Sequence, residues 1–297
     1  MLGGNEKYMS ARIECRVSDQ KEMEELKTLW EIGFGDDRTY IDLFFEYKYK
    51  ENRTYVLSVD NIIAAMVTAI PVNYVVSEKV YEAVMLYAVA TRPDERGKGY
   101  STLLMDYVNE DFKNKGFKLS VLVPANKPLI DFYKKRGYAE AFTIYEGRYH
   151  DEMHIQDPVA IHMEPVDAKL YNHMRNSFLV YNKGVLYHDE DIGFQKKTAA
   201  LSGGDLFTLK SPDFTGCAVV ERISPERILV KELLVEERRV TACLKRMVEF
   251  LPADEVVVRL PKHNDDLTGE SRVFGMAMVL DPSLSLSPEG YLGLAFD

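Results

Sequence analysis

The first 149 residues contain no histidine; all six lie at position 150 or later. Proton chemistry confined to that stretch must therefore use carboxylates, phenols, amines or water. Cysteine is scarce as well. Cys15, Cys217 and Cys243 are odd in number, widely separated and form no C-x-x-C pair, which argues against a disulfide framework and against cysteine zinc or redox motifs. No apolar run approaches the roughly 20 residues needed to span a bilayer. Ala83 to Ala90 is among the longest, and Met1 to Lys7 has no secretory apolar core, so the chain reads as cytoplasmic and without membrane contact. An excess of positive charge is also missing. Residues 1–150 hold 21 basic and 23 acidic side chains and residues 151–297 hold 16 and 24, for a net charge of −10. That balance argues against a nucleic-acid partner and slightly favours a cationic or amine acceptor. With 297 residues, 46% of them apolar, the chain is long enough for two cores.

Two nucleotide motifs are absent too. No G-x-x-x-x-G-K-[ST] loop occurs, and a G-x-G-x-x-G reading of Gly97 and Gly99 fails at Thr102. What is there is an apolar strand, Val84 to Thr91, a basic turn with two glycines, and an amphipathic helix from Tyr100. This order builds an anion site: the glycines permit a tight turn with inward amides, the helix adds its positive end, and Arg96 and Lys98 add charge. A phosphate-bearing molecule is the natural occupant.

The R-x-x-G-x-S run Arg96-Gly97-Lys98-Gly99-Tyr100-Ser101 resembles the pyrophosphate loop of the GNAT N-acetyltransferase superfamily, Q/R-x-x-G-x-G/A, with Ser101 a mild departure. A second motif follows in the right order. After a strand from Phe117 to Val123, Asn126 opens a short helix, Phe132-Tyr133 lies about two turns on, and Gly137-Tyr138 closes it. Capping chemistry explains the same residues independently, because Asn126 suits an N-cap, Pro128 a first turn and Gly137 a left-handed C-cap. The resemblance covers residues 12–149 well and the remainder loosely.

It implies an α+β GNAT fold with a mixed, splayed sheet and acetyl-CoA as co-substrate, with no metal. Val89, Ala90 and Thr91 would pair with pantetheine; Arg96, Gly97, Lys98, Gly99, Tyr100, Ser101 and Thr102 would hold the pyrophosphate; Asn126 would be a further cofactor contact. Tyr133 would be the general acid, protonating the departing thiolate after direct attack by an amine. The base is open between Glu82, a water chain and the chain terminus. The last reading comes from a more distant resemblance to the enhanced-intracellular-survival acetyltransferases, tandem GNAT-like proteins whose terminus enters the active site, and it would give Asp297 that role. Those proteins carry a third, sterol-carrier-like domain, for which this chain is too short.

Along the chain, Asp19 caps a helix bearing Met23, Leu26, Leu29, Trp30 and Phe34, Gly35-Asp36-Asp37 breaks it, and Tyr40 to Tyr49 forms a second helix. A hairpin through Asp60-Asn61 follows, giving the order βααβββαβαβ. Of the aromatic residues Phe34, Tyr40, Phe44, Phe45 and Tyr47, most should pack inward and one or two could meet an acceptor. Residues 1–11 read as a flexible terminus, 12–150 as the GNAT domain and 151–158 as a polar linker, whose His150 and His154 do not have metalloprotease order. Residues 159–297 read as a degenerate GNAT-like domain. There a hairpin (217–223 and 227–235), a helix (240–251) and a strand (255–261) repeat the cofactor half, but Glu236-Glu237-Arg238-Arg239 stands at the turn. Two carboxylates and no glycine would repel a pyrophosphate. The favoured function is acetyl transfer to a primary amine of a small or amino-acid-like acceptor. The alternative is a non-catalytic acyl-CoA sensor or protein-interaction module, and homo-oligomerisation is left open.

Overall fold

The computed structural model describes residues 11–50, 52–150, 159–284 and 287–295. Its residues fall into two compact units, the first extending to Ile70 and resuming at Leu86–Asn114, the second comprising Pro71–Met85 and the chain from Lys115 onward.

In the first unit, β1 (Ile13–Val17) leads to α1 (Met23–Phe34), α2 (Arg38–Lys48), β2 (Thr54–Val59), β3 (Ile62–Val76), β4 (Lys79–Thr91) and α3 (Tyr100–Asn114); the far end of β3 and the start of β4 belong to the second unit. Asp19 forms the expected cap as a reciprocal box: its carboxylate accepts from the Lys21 amide at 3.0 Å, and Glu22 accepts from the Asp19 amide at 2.7 Å. Gly35, at φ +72°, ends α1, and Asp37 caps α2 through the Thr39 amide. β1 and β2 pair antiparallel from Ile13↔Val59 to Val17↔Tyr55, and β2 turns into β3 at Asp60 and Asn61, both left-handed. The apolar face of α3, carrying Leu104, Met105, Val108 and Phe112, is buried at helical spacing.

The second unit adds β5 (Leu119–Leu122), α4 (Lys127–Lys134), β6 (Ala139–Tyr149), β7 (His162–Pro165), α5 (Ala168–Val180), β8 (Gly184–Leu186) and α6 (Asp189–Leu201). It continues through β9 (Asp205–Lys210), β10 (Thr215–Ser224), β11 (Arg227–Leu234), α7 (Val240–Phe250), β12 (Glu255–Leu260) and β13 (Thr268–Val279). Hydrogen-bonded neighbours run β5-β13-β6-β12-β11-β10-β9-β7, a mixed sheet in which β11 and β12 are parallel. The last strand therefore lies between two much earlier ones: β13 pairs with β5 from Met276↔Leu122 to Val279↔Leu119 and with β6 from Thr268↔Arg148 to Ala277↔Ala139.

One buried charge pair organises α5, β11 and the C-terminal tail. Arg175 and Glu232 have side chains 0% exposed, with Nε 3.0 Å from Oε2. The remaining guanidinium nitrogens donate to the carbonyls of Val185 and Leu292, each at 2.8 Å, and Tyr171 donates to Glu232 at 2.7 Å. Each charge is thus hydrogen-bonded as well as paired, the condition under which such a pair is tolerated. Among the described residues the tail from Gly290 forms only isolated bridges, Phe142↔Gly290 and Gly184↔Tyr291. Gly290 and Gly293, at φ +117° and +72°, bend it out of a ladder, and side chains such as Gln195, donating to the Ala295 carbonyl at 2.9 Å, hold it instead.

Candidate active site

The glycine turn has the conformation its sequence demands. Pro93–Glu95 makes a single 3-10 turn, Gly97 and Gly99 sit at φ +80° and +84°, and α3 starts at Tyr100. L-residues seldom adopt such φ values. Within the helix no carbonyl lies one turn ahead of the first amides, so those of Tyr100 and Ser101 head the helix with its positive end. Residues 96–99 are exposed. Lys98 is held by Glu95 at 2.9 Å, which raises the ammonium pKa, and the Arg96 Nε donates to the Thr91 carbonyl at 3.3 Å.

One residue that the sequence reading missed lies just upstream. Ala88 takes φ +51° inside β4, a kink immediately before Val89, Ala90 and Thr91. No glycine or asparagine marks it; a left-handed alanine in a strand carries no compositional signal. In the second unit, β4 and β5 pair at only three parallel registers, Ala83↔Leu119 to Met85↔Val121.

Helix α4 forms around the second motif. The Asn126 side chain accepts from the Leu129 amide at 3.1 Å, Pro128 occupies the first turn, and Gly137 is left-handed at φ +86°. Tyr133 is 7% exposed and packs edge-on to Phe132, ring centroids 5.2 Å apart, and to Tyr138 at 6.0 Å. Burial pushes its phenol up to about 12, with Arg136 pulling weakly the other way, so it is protonated at neutral pH. Glu82 is exposed on β4. Val89 to Thr102 thus belong to the first unit, and Asn126 and Tyr133 to the second. Asp297 and His154 lie outside the described residues.

The aromatic residues divide much as helical packing requires. Phe44 and Phe45 are buried against Trp30, whose indole donates to Asp36 at 2.7 Å, while Phe34 and Tyr47 are exposed. Tyr40 is half-buried, and its hydroxyl lies 2.9 Å from that of Tyr87 on β4, a second residue the sequence did not single out. The counterpart turn in the second unit has no left-handed residue from 236 to 239. There Arg238 pairs with Glu236 at 2.9 Å, and the buried Arg239 pairs with Asp213. Among the described residues no group of three or more His, Cys, Asp or Glu is arranged to hold a metal, and no helix is long and apolar enough to cross a membrane.

A left-handed glycine turn ahead of α3, a kinked β4 and an asparagine-capped α4 occur in the order βααβββαβαβ, and residues 14–141 match the family model described as acetyltransferase (GNAT) domain. Residues 14–141 are therefore similar to a GNAT acetyltransferase domain, a class built for acyl transfer. A comparison with curated proteins gives no match. Solved structures share the fold at low identity. A probable N-acyltransferase from Enterococcus faecalis is 15% identical with a TM-score of 0.73, the match covering 92% of this chain and 73% of that one. A GCN5-related N-acetyltransferase from Anabaena variabilis is 16% identical with a TM-score of 0.72, covering 91% and 73%. Eis1 from Mycobacterium abscessus is 12% identical with a TM-score of 0.69, covering 91% and 74%. The likeness extends through the C-terminal half, in keeping with a GNAT fold followed by a second GNAT-like α+β region.

Proposed function

We propose that this protein is an acetyl-CoA-dependent N-acetyltransferase acting on a primary amine of a small or amino-acid-like acceptor. The observation that carries the reading is the glycine turn, left-handed at both Gly97 and Gly99, at the head of α3. The cradle fits a pyrophosphate: neither glycine has a heavy atom within 4 Å of where a Cβ would stand, so the backbone is open to close approach. Arg96, Lys98 and the amides through Thr102 would bind the phosphates, and Asn126 would be a further contact. The left-handed Ala88 immediately precedes Val89, Ala90 and Thr91, a local irregularity in β4 that supports their use as partners for an extended amide-bearing arm.

Acetyl-CoA, when bound, supplies the thioester. The residues' work is to hold the acyl donor in line with the amine, an arrangement that can lower a barrier by roughly 7–11 kcal/mol. Tyr133 donates its proton to the departing thiolate, a role its raised pKa keeps available across neutral pH. The base comes from Glu82, from water or from Asp297, since residues 1–149 contain no histidine.

Thiol release from acetyl-CoA, followed across a panel of primary amines, tests the reading; CoA binding with no release from any amine would sink the enzyme and leave the sensor. Gly99→Val tests the loop directly. A β-branched residue at φ +84° costs on the order of 1–2 kcal/mol and displaces the amides, so CoA affinity measured by calorimetry should fall about tenfold or more. Unchanged affinity would remove the pyrophosphate assignment.

A further inference from the structure

The second unit contains an opening of its own, and its chemistry differs from that of the glycine turn. β11 and β12 pair in parallel only from Arg227↔Glu255 to Val230↔Val258, although β11 runs on to Leu234 and β12 to Leu260. On the other side of β12, pairing with β6 stops at Leu260↔Tyr145, while β6 continues toward Ala139 paired with β13 and bridged at Phe142 to Gly290. The strand ends that part company there enclose a cavity of about 910 Å³. That volume suits a drug-sized ligand.

Its walls are apolar: Leu179 from α5, Leu233 and Val235 at the end of β11, Val240 at the start of α7, Leu260, and Tyr291 from the tail. Its charges lie at the edge, and most are already matched. Glu289 is paired with Lys183, Glu140 with Lys134 at 2.6 Å, and Glu236 with Arg238 at 2.9 Å. His263 is engaged with Asp265 at 2.9 Å. Two charged groups remain. The exposed carboxylate of Glu237 and the exposed ammonium of Lys262 line the same cavity, and neither has an ion-pair partner among the described residues. A pyrophosphate is disfavoured here, because the adjoining turn has no left-handed residue and carries two carboxylates.

We infer that this cavity is a binding site for a small zwitterion with an apolar body, in the class of short apolar peptides, whose ammonium meets Glu237 and whose carboxylate meets Lys262. Apolar walls supply the affinity and the two uncommitted charges supply the selectivity, because a ligand carrying only one charge leaves the other side chain unmatched. Every lining residue belongs to the second unit, so the site stands apart from the acetyl-CoA reading and is tested without it.

The experiment uses the full chain and three matched probes: the dipeptide Leu-Phe, its N-acetyl form without the ammonium, and its C-terminal amide without the carboxylate. Calorimetry and methyl NMR should show Leu-Phe binding at least tenfold more tightly than either blocked form, with shifts at Leu233, Val240 and Leu260. Glu237→Gln should abolish the preference for the free amine and Lys262→Met the preference for the free carboxylate. Both positions are exposed, so neither change threatens folding. Val240→Trp, which fills the cavity, should abolish binding, whereas Gly99→Val should leave it unchanged. Equal binding of the three probes, no binding of any, or a ranking untouched by the Glu237 and Lys262 substitutions would each overturn the inference.

Discussion

Tyr133, the proposed acid, is held by packing. It lies on the short helix α4 and is 7% exposed, and among the described residues no hydrogen bond through its hydroxyl anchors it; its ring is held by Phe132 and Tyr138. Burial keeps the phenol neutral, so Tyr133→Phe removes one donor and leaves the packing intact. Turnover should drop by roughly 10²-fold or more, the size of a lost general acid, while CoA affinity stays within about twofold. Stopped-assay kcat and calorimetric Kd separate the two. Equal turnover in the variant would assign proton donation to solvent.

At the scale of elements, the buried Arg175 and Glu232 pair joins α5 and β11 to the tail, and each partner depends on the other to offset its lost hydration. Replacing Glu232 by Gln strands a buried guanidinium, and the urea midpoint should register a loss of about 3–5 kcal/mol; a joint change to Met at both positions should recover most of it. Nothing in the pattern of residues 170–180 or 227–235 announces this pair. Local rules found the helix caps Asp19 and Asn126, the breaker Gly35-Asp36-Asp37 and the Asp60-Asn61 turn, because each depends on neighbours a few residues away. The glycine turn and the α4 motif were legible for the same reason. Ala88, the Tyr40 and Tyr87 hydroxyl pair and the cavity beside Leu260 were not, since each arises where chain segments far apart in sequence meet. β3 also continues past Pro71, a residue that favours a strand end, to Val76, where it pairs with β8 from Asn73↔Leu186 to Val75↔Gly184. Tertiary pairing overrode the local stop.

Over the whole molecule, buried weak acids set an alkaline limit. Burial pushes the Cys243 thiol up to about 12 and raises Cys217, Tyr171 and Tyr291 well beyond their ordinary values. In the unfolded chain thiols ionise near 9 and phenols near 10. Above pH 9 the unfolded state therefore binds fewer protons than the folded one, and stability falls as pH rises. By pH 10 the loss should be about 1 kcal/mol per buried thiol, read as a drop in denaturation midpoint from pH 8 to 10 that Cys243→Ala reduces. The place of β13 between β5 and β6 has a different consequence, one of time. As the chain leaves the ribosome at roughly 5–20 residues per second, β5 and β6 emerge well before their shared neighbour exists. Their edges wait for residues 268–279 to be made, and closure brings together segments more than a hundred residues apart, a slow step by topology. A chain stopped at residue 150 should therefore expose the unpaired edges of β5 and β6 and aggregate, and supplying the missing strands as a separate polypeptide spanning residues 159–297 should restore a soluble complex in co-expression.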